Sequence, residues 1–352
     1  MGVAYNSRIV TDSLVLALDA ANKKSFYGYW SGSYGTAANA FDGNLSTFSG
    51  GAGGTFSATY TFNNGLDVSG TVRVYVTFGA GSGQVNGRTG VILVDGNDIS
   101  SKMAAANVYA SSPGWVDVTS EVGSIFNTIV LNGTSGSTNP SIAAIEVNGQ
   151  ILVGTTWAGT TWTDLSGRGN NGELLHAVGY SSSNRGALTF DGSNQRVLQS
   201  SATINFSGGS MEVWAYFNNF NGNQGVFSMS SSPTYINFYI PTSRLMRWEV
   251  IGNAGNSYST ISSTYVIEPS TWYHFVGTFG EGNTTKLYIN GVLNNSQSSY
   301  TNVPSNFTSA IILGEYAGYF NGRISNAKIY NRALSAAEIS QNYNSLRGRF
   351  GI

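Results

Sequence analysis

The stretch from Trp272 to Leu293, WYHFVGTFGEGNTTKLYINGVL, constrains the fold more than any other part of the chain. Large residues alternate along its first half, residues 280–283 (GEGN) are turn formers, and the second half ends at Asn290-Gly291. Asn-Gly between β-forming residues is a strong hairpin signal, because a type I′ turn requires positive φ at both central positions. The stretch therefore predicts consecutive antiparallel strands, the first of them buried on one face.

The composition extends this prediction to the whole chain. A length of 352 residues is sufficient for two domains. Charged residues make up 10% of the chain, against about 25% in an average globular domain. Glycine (45 residues) and aromatic residues (13%) are abundant instead. Low charge with many turn formers and aromatics indicates β-sheets joined by many turns rather than helices or disorder.

Charge and cysteine content exclude several classes of function. The net charge is −1 and no run of five Lys or Arg residues occurs, so neither nucleic acid nor an anionic membrane is an expected partner. The absence of cysteine excludes a disulfide scaffold, a cysteine-ligated metal and a cysteine nucleophile. The first residues lack the pattern of a signal peptide, and no apolar run is long enough to span a membrane.

Periodicity along the chain predicts two sets of strands and one helix. Residues 28–154 are almost free of charge and hold at least seven short strand-like segments, including a hairpin around Asn148-Gly149, which is typical of a β-sandwich. Further strands follow from residue 187 onward. Near the end, Ser335 and Glu338 form the Ser-x-x-Glu pattern of a capping box, which predicts a helix that we expect Gly348 to end.

Three motifs together resemble the laminin-G-like, concanavalin-A-like lectin domain. They are FDGS at 190–193, the hairpin at 272–293 and FNGRISNAKIYNRALSAAEI at 320–339. Residues 1–27 and TTWTDLSGRGNNGEL at 160–174 resemble the opening of that domain as found in virion proteins of tailed phages, particularly those of cyanobacteria. The resemblance implies an all-β jelly roll with a short C-terminal helix.

The spacing of these motifs implies an interrupted domain. The two opening pieces would be adjacent in uninterrupted relatives, whereas about 125 residues separate them here. We therefore expect residues 1–27 and 155–352 to form the laminin-G-like domain, with residues 28–154 inserted into one of its loops as a galactose-binding-like β-sandwich. Insertion at an exposed loop costs little free energy, because loop-closure entropy grows slowly with length.

The segment AFDGNLSTFSG at 40–50 resembles the first loop of discoidin-like, galactose-binding-like sandwiches. In those domains A-x-D-G-x-x-x-T contributes to a calcium site, so the resemblance implies Asp42, Asn44 and Thr47 as candidate ligands and calcium as the cofactor. Asp-Gly is also an ordinary turn, and a purely structural role is the alternative.

Catalysis is not expected. The lectin-like clan includes glucanases, and a retaining glycosidase needs two carboxyl groups about 5 Å apart. No E-x-D-x-E pattern occurs, and the strand acids Glu146, Glu212 and Glu249 are isolated from one another in the sequence. His274 lies within the hairpin strand, where a lone histidine is more often a packed sheet residue than a base.

Glycan binding is the chemistry that the aromatic residues favour. Sugar sites stack an exposed aromatic ring on a pyranose beside hydrogen-bonding side chains. We predict a carbohydrate site at Tyr316, Tyr319 and Asn321, within the loop GEYAGYFNG. The alternative is that loop aromatics close the ends of the sandwich; the other candidates of this kind are Tyr29, Trp30, Tyr34, Trp157 and Tyr258.

The resemblance implies a non-enzymatic structural protein of a phage virion. We expect a decoration, collar or short tail appendage or fibre component, assembled in the host cytoplasm and exposed on the particle. Its expected partners are other virion proteins, further copies of itself and host surface glycans. The alternative is a secreted or surface carbohydrate-binding module of a bacterium.

Overall fold

The computed structural model describes residues 9–22, 24, 27–32, 37–50, 55–78, 90–108, 112–133, 140–153, 159–181, 183–231, 234–252, 258–298 and 306–352. The chain divides into two compact units. Unit 1 comprises Met1–Ser25 and Trp162–Ile352, and unit 2 comprises Phe26–Thr161. All strand pairs recorded in the described ranges are antiparallel, which confirms the predicted all-β class with sandwiched sheets and a C-terminal helix.

The secondary structure follows in chain order. Unit 1 begins with β1 (Leu14–Asp19). Unit 2 contains β2 (Gly28–Gly32), β3 (Ser49–Gly50), β4 (Phe56–Asp67), β5 (Val72–Phe78), β6 (Gly90–Val94), β7 (Asn97–Asp98), helix α1 (Ser100–Ala105), β8 (Gly114–Asp117), β9 (Ile125–Gly133), β10 (Pro140–Val147) and β11 (Gln150–Ile151).

Unit 1 then resumes with fifteen strands in the described ranges and one helix. They are β12 (Thr161–Trp162), β13 (Gly172–Leu175), β14 (Gly179–Ser181), β15 (Ala187–Asp191), β16 (Arg196–Asn205), β17 (Gly209–Phe217), β18 (Gln224–Ser231), β19 (Thr234–Ile240), β20 (Arg247–Ile251), β21 (Tyr258–Ser262), β22 (Trp272–Phe279), β23 (Thr285–Ile289), β24 (Val292–Gln297), β25 (Asn306–Leu313), β26 (Asn321–Tyr330) and helix α2 (Ala336–Phe350).

Two sheets of eight strands form unit 1. The first sheet has the order β14-β15-β26-β17-β22-β23-β24, with β1 also paired to β26. The second sheet has the order β12-β13-β16-β25-β18-β19-β20-β21. Aromatic side chains pack between the sheets: the Phe238 ring lies 4.7 Å from Trp248 and 6.3 Å from Phe275, centroid to centroid. The two sheets therefore enclose one apolar core, as in a jelly roll.

Unit 2 is a smaller sandwich of two five-stranded sheets. One has the order β2-β4-β9-β6-β7, and the other β11-β10-β5-β8 with β3 paired to β10. Its core is built from alternate residues of these strands, such as Tyr60, Val74, Ile129 and Ile145, all fully buried. The predicted hairpin at Asn148-Gly149 is present, and both residues have positive φ (54° and 79°).

In unit 1 the predicted hairpin turn is confirmed, but the predicted burial of its first strand on one face only is wrong. Asn290 (φ 52°) and Gly291 (φ 77°) join β23 to β24 as a type I′ turn requires. However, all eight residues of β22 are buried, whereas the sequence predicted burial on one face only. Helix α2 causes the difference: Phe350 stacks on Trp214 at 4.2 Å, and Trp214 lies beside His274 at 4.9 Å.

Helix α2 begins as predicted and ends later than predicted. The Ser335 hydroxyl accepts a hydrogen bond from the Glu338 backbone N–H, and the Glu338 carboxylate accepts one from the Ser335 backbone, which completes the capping box. The expectation that Gly348 ends the helix is wrong. The helix continues to Phe350 and ends at Gly351, whose φ of 74° provides the left-handed C-cap.

A buried polar network fixes helix α2 to the outer face of the first sheet. Glu212 on β17 accepts a hydrogen bond from Lys328 on β26 (2.7 Å) and one from Asn342 of the helix (2.7 Å), and all three side chains are fully buried. Burial opposes ionisation of Glu212, but the Lys328 ammonium and His274 lower the pKa of its carboxyl to about 2. An ionised buried carboxylate needs these partners, so the helix and the sheet depend on each other.

A second buried carboxylate ties the N-terminal strand to the segment that follows unit 2. Asp164 accepts hydrogen bonds from the backbone N–H of Ala17 (2.9 Å) and from that of Asn170 (3.0 Å). The Asn170 amide in turn donates to the carbonyl of Val15 (2.8 Å). Residues about 150 positions apart are therefore joined within unit 1.

Neither of the helices in the described part of the chain has the length and hydrophobicity needed to cross a membrane.

Candidate functional site

The outer face of the second sheet of unit 1 carries polar and aromatic side chains. Successive residues of a strand point to opposite faces. On β19, Ile236 and Phe238 enter the core, so Tyr235, Asn237 and Tyr239 face outward. The strand sequence TYINFYI thus supplies two tyrosines and an amide to this face.

Strand register places four polar residues in one row across this face. Ser228 on β18 pairs with Asn237 on β19, Asn237 with Glu249 on β20, and Glu249 with Thr260 on β21. We call these four residues the Glu249 row. Directly paired residues of antiparallel strands have neighbouring side chains, so the row forms a continuous polar strip.

The carboxylate at the centre of the row is largely buried. Glu249 is 7% exposed, and it accepts hydrogen bonds from the Tyr316 hydroxyl (2.8 Å), the Asn237 amide (3.3 Å) and the Thr260 hydroxyl (3.3 Å). Within the described ranges no cationic group forms an ion pair with it. Neutral donors therefore hold the carboxylate in place.

Two buried polar atoms near the row have no hydrogen-bond partner among the described residues. They are Oδ1 of Asn237, whose side chain is fully buried, and Nε of Arg247. The Arg247 guanidinium lies 5.6 Å from the centroid of the Tyr239 ring and donates to the Tyr239 hydroxyl (3.0 Å). Buried polar atoms without partners are uncommon in proteins and indicate where a ligand or water can bond.

The loop after β25 covers one end of the row. Tyr316 from this loop packs edge-on against Tyr239, with the ring centroids 5.4 Å apart. Partial burial and the bond to Glu249 raise the pKa of Tyr316 above its usual value, so its hydroxyl stays protonated and donates. Gly318 fixes the return of the loop, because its carbonyl accepts from the Gly225 N–H (3.0 Å) and the Tyr316 N–H (3.2 Å).

A cleft of about 340 Å³ opens beside this loop. Its walls include Tyr316 and Tyr319 from the loop, Ser228 and Ser230 from β18, and Glu315, which forms an ion pair with Arg196 (3.0 Å). The volume is at the lower end of the range of about 300–1,000 Å³ for small-molecule sites, which suits one or two sugar rings.

The structure brings two of the three predicted sugar-binding residues together. Tyr316 and Tyr319 both line the cleft, whereas Asn321 is not part of its walls. The Asn321 amide donates to the carbonyl of Asp191 (3.1 Å) and accepts from the Asn218 amide (2.8 Å). These bonds hold neighbouring loops together, so Asn321 has a structural part in this geometry.

The other loop aromatics named from the sequence have different positions. Trp30 packs against Tyr60 in unit 2 (5.1 Å), and Tyr29 lies on β2. Tyr34, Trp157 and the side chain of Tyr258 lie outside the described residues. None of the described ones joins the cleft.

Each isolated strand acid has its own partners. Glu146 pairs with Arg73 in unit 2, Glu212 with Lys328 beneath helix α2, and Glu249 with neutral donors on the opposite side of unit 1. His274 is fully buried, and burial lowers its pKa against the opposing influence of Glu212. Among the described residues that line the cleft, the one carboxylate is Glu315.

The comparisons with known proteins agree with the jelly-roll architecture. A family model described as the concanavalin A-like lectin/glucanases superfamily matches residues 191–340. This part of the chain has a concanavalin A-like lectin fold. No curated protein sequence matches the chain.

Several solved structures are similar to part of the chain. The binding domain of Paraclostridial Mosquitocidal Protein 1 is 19% identical with a TM-score of 0.45, over 52% of this chain and 49% of that one. The botulinum neurotoxin serotype D ligand-binding domain, solved with N-acetylneuraminic acid, is 17% identical (TM-score 0.43), over 51% and 47%. The chain thus matches about half the length of these two proteins.

A third solved structure matches over most of its own length. Domain 4 of AbnA, an extracellular arabinanase from Geobacillus stearothermophilus solved with arabinotriose, is 16% identical with a TM-score of 0.44. The match covers 51% of this chain and 92% of that one.

The predicted calcium ligands lie together in unit 2. The Asp42 carboxylate accepts from the Asn44 backbone N–H (2.7 Å) and the Thr47 hydroxyl (2.5 Å), and Thr47 also donates to the Asn44 carbonyl. Calcium takes six to eight oxygens, and this loop supplies one carboxylate whose oxygens already accept hydrogen bonds. No group of three His, Cys, Asp or Glu side chains in the described ranges could hold a metal. The loop fits calcium in donor type but not in number.

The structure of this loop generates a stability prediction. Asp42→Ala removes two hydrogen bonds at an exposed turn, so we expect unit 2 to lose about 1–2 kcal/mol of stability. Thermal unfolding of the parent and the variant, each with calcium and with chelator, measures this loss. If the loop binds calcium, calcium raises the melting temperature of the parent but not that of Asp42→Ala. If chelator leaves the melting temperature of the parent unchanged, calcium is not a cofactor of this loop.

Proposed function

We propose that this protein is a non-enzymatic virion protein of a tailed phage that binds host surface glycans through the Glu249 row. One observation carries the glycan part of the proposal. Tyr316, which packs against Tyr239, lines a cleft beside a polar row. That row contains the buried Oδ1 of Asn237, which has no hydrogen-bond partner among the described residues.

The chemistry of this face suits a hydroxyl-rich ligand. Oδ1 of Asn237 can accept a hydrogen bond from a sugar hydroxyl, and Nε of Arg247 can donate one, since neither atom has a partner among the described residues. The tyrosine rings offer an apolar surface for the CH face of a pyranose. A buried carboxylate held by neutral donors also accepts hydrogen bonds from hydroxyls without requiring a cation.

The arrangement of the acids supports binding without hydrolysis. The carboxylates that the sequence isolates remain separated in the fold, on different units or on opposite sides of unit 1. A glycosidase mechanism requires an acid and a second carboxylate on either side of the scissile bond. The carboxylate among the described residues of the cleft wall, Glu315, is already paired with Arg196.

The virion part of the proposal rests on the sequence motifs at 1–27 and 160–174, which resemble those of tailed-phage virion proteins. We propose that several copies decorate the particle at its head, neck or tail and contact other virion proteins there.

We also propose that unit 2 is an inserted domain. A β-carbon on Gly159 would lie 2.6 Å from the carbonyl oxygen of Gly28, so the two ends of unit 2 meet. Such a unit can be accommodated in a loop of another domain with little disturbance.

The proposed site predicts a loss of affinity in one tyrosine variant. Tyr316→Ala removes a ring of the cleft and a donor to Glu249, so we expect glycan affinity to fall about tenfold, or 1.4 kcal/mol. A glycan array identifies the ligand, and calorimetry then measures both proteins. Tyr265→Ala is the matched control, because Tyr265 is 46% exposed in the same unit and does not line the cleft. Equal affinities for parent and Tyr316→Ala would place the glycan elsewhere.

The virion assignment predicts a regular distribution of the chain on phage particles. Electron microscopy of purified particles labelled with an antibody to this chain should show the label at repeated positions on the head, neck or tail. Unlabelled particles, combined with glycan binding by the free protein, would instead establish the bacterial carbohydrate-binding module.

A further inference from the structure

A hydrogen-bonded loop in unit 1 presents an arginine that has no acidic partner among the described residues. The loop spans residues 164–170 (DLSGRGN), and Asp164 holds it from inside by accepting from the Ser166 N–H (2.9 Å), the Ser166 hydroxyl (2.7 Å) and the Asn170 N–H (3.0 Å). Arg168 lies at the tip between Gly167 (φ 79°) and Gly169 (φ 75°). Left-handed backbone on both sides lets the chain reverse closely around this residue.

The backbone of Arg168 is fixed while its guanidinium remains available. Its N–H donates to the Ser166 hydroxyl (3.2 Å), but within the described ranges no carboxylate lies at ion-pair distance from the side chain. Four other arginines of unit 1 differ, because Arg196, Arg244, Arg332 and Arg349 all have acidic partners. An unpaired guanidinium can bind an anion without first breaking an ion pair.

Arg168 borders a cleft of about 240 Å³ whose remaining walls are mostly amides and a hydroxyl. Three of these residues are held in place by the fold. Asn170 donates to the Val15 carbonyl, Asn331 donates to the Asn205 carbonyl (3.3 Å), and the Thr203 hydroxyl bonds to that of Thr308 (2.9 Å). Arg168 is the one charged residue among the described residues that line the cleft.

We propose that this cleft is a second ligand site, which binds a single small hydroxylated molecule carrying one oxyanion group. The planar guanidinium matches a carboxylate or a phosphate in a two-bond contact, and the surrounding amides can bond to hydroxyls. The volume is below the usual range of about 300–1,000 Å³, so the cleft accepts one sugar-sized ring and not a chain.

The site differs from the Glu249 row in charge and does not depend on it. The cleft beside Tyr316 lies next to the buried Glu249 carboxylate, which disfavours an anion, and its own acid Glu315 is paired with Arg196. The Arg168 cleft carries a single positive charge. Unit 1 therefore offers two sites with opposite ligand preferences, one for neutral sugars and one for acidic ones.

Calorimetry with three matched probes tests the site on the full chain. Glucuronate carries a carboxylate, glucose 6-phosphate carries a phosphate, and glucose carries neither group. We expect at least one anion to bind the parent while glucose does not. The anion that binds more tightly shows whether the cleft prefers a carboxylate or a phosphate. Arg168→Gln should weaken that binding about tenfold or more, as expected for the loss of a charge-assisted hydrogen bond.

The control is Arg347→Gln, which removes the same charge from an exposed residue of unit 1 that does not line the cleft. We expect it to bind the anion as the parent does, and both variants to keep the melting temperature of the parent. Any of three results would overturn the proposal: no anion binds at millimolar concentration, glucose binds equally well, or the two variants lose affinity to the same extent. Glucose binding that is lost in Tyr316→Ala and kept in Arg168→Gln belongs to the Glu249 row and does not count against the Arg168 cleft.

Discussion

The buried carboxylate of Glu212 is the group on which the arrangement of unit 1 depends. It lies on the outer face of the first sheet, where a strand residue would ordinarily meet solvent, and its charge is balanced by Lys328. Asn342 of helix α2 completes its hydrogen bonding. Breaking a buried ion pair by removing one partner typically costs about 3–5 kcal/mol. The helix therefore must cover this face, and the first sheet is not free to bind a ligand there.

This constraint assigns different roles to the two sides of the sandwich. Helix α2 and the stacked rings of Trp214 and Phe350 close the outer face of the first sheet. The outer face of the second sheet carries the Glu249 row and the cleft beside Tyr316. A buried acid occurs on each side, but Glu212 is bonded to a cation and Glu249 only to neutral donors. The first stabilises the fold, and the second is suited to accept hydroxyl groups.

Local patterns predicted the local structure well, and the errors arise from contacts between distant segments. The Asn290-Gly291 turn and the capping box depend on neighbouring residues, so both could be predicted. The complete burial of β22 could not, because alternation along a strand does not reveal that a helix sixty residues later covers its second face. Gly348 was a plausible helix end, but a glycine inside a helix costs only about 1 kcal/mol and packing offsets it.

In the candidate site, too, local features could be predicted and contacts between strands could not. Tyr316 and Tyr319 could be predicted as loop aromatics, whereas Asn237 and Arg247 were missed. In TYINFYI and RWEVI, polar and aromatic residues alternate with apolar ones, and this alternation could have placed both residues on an outward face. It does not indicate which residues of other strands lie beside them. Only the register of β19 against β20 brings Asn237 next to Glu249. The calcium prediction is based on a short loop, and the hydrogen bonds within that loop already account for its conformation.

Chemical-shift mapping of the isotope-labelled full chain during titration with its glycan shows whether the Glu249 row binds the glycan. We expect the backbone and amide signals of the row and its neighbour to change together and saturate at one affinity, with the glycan recovered intact; these residues are Ser228, Asn237, Glu249, Thr260 and Tyr316. Signal changes confined to unit 2 or to the helix-covered face, or cleavage of the glycan during the titration, would contradict this expectation.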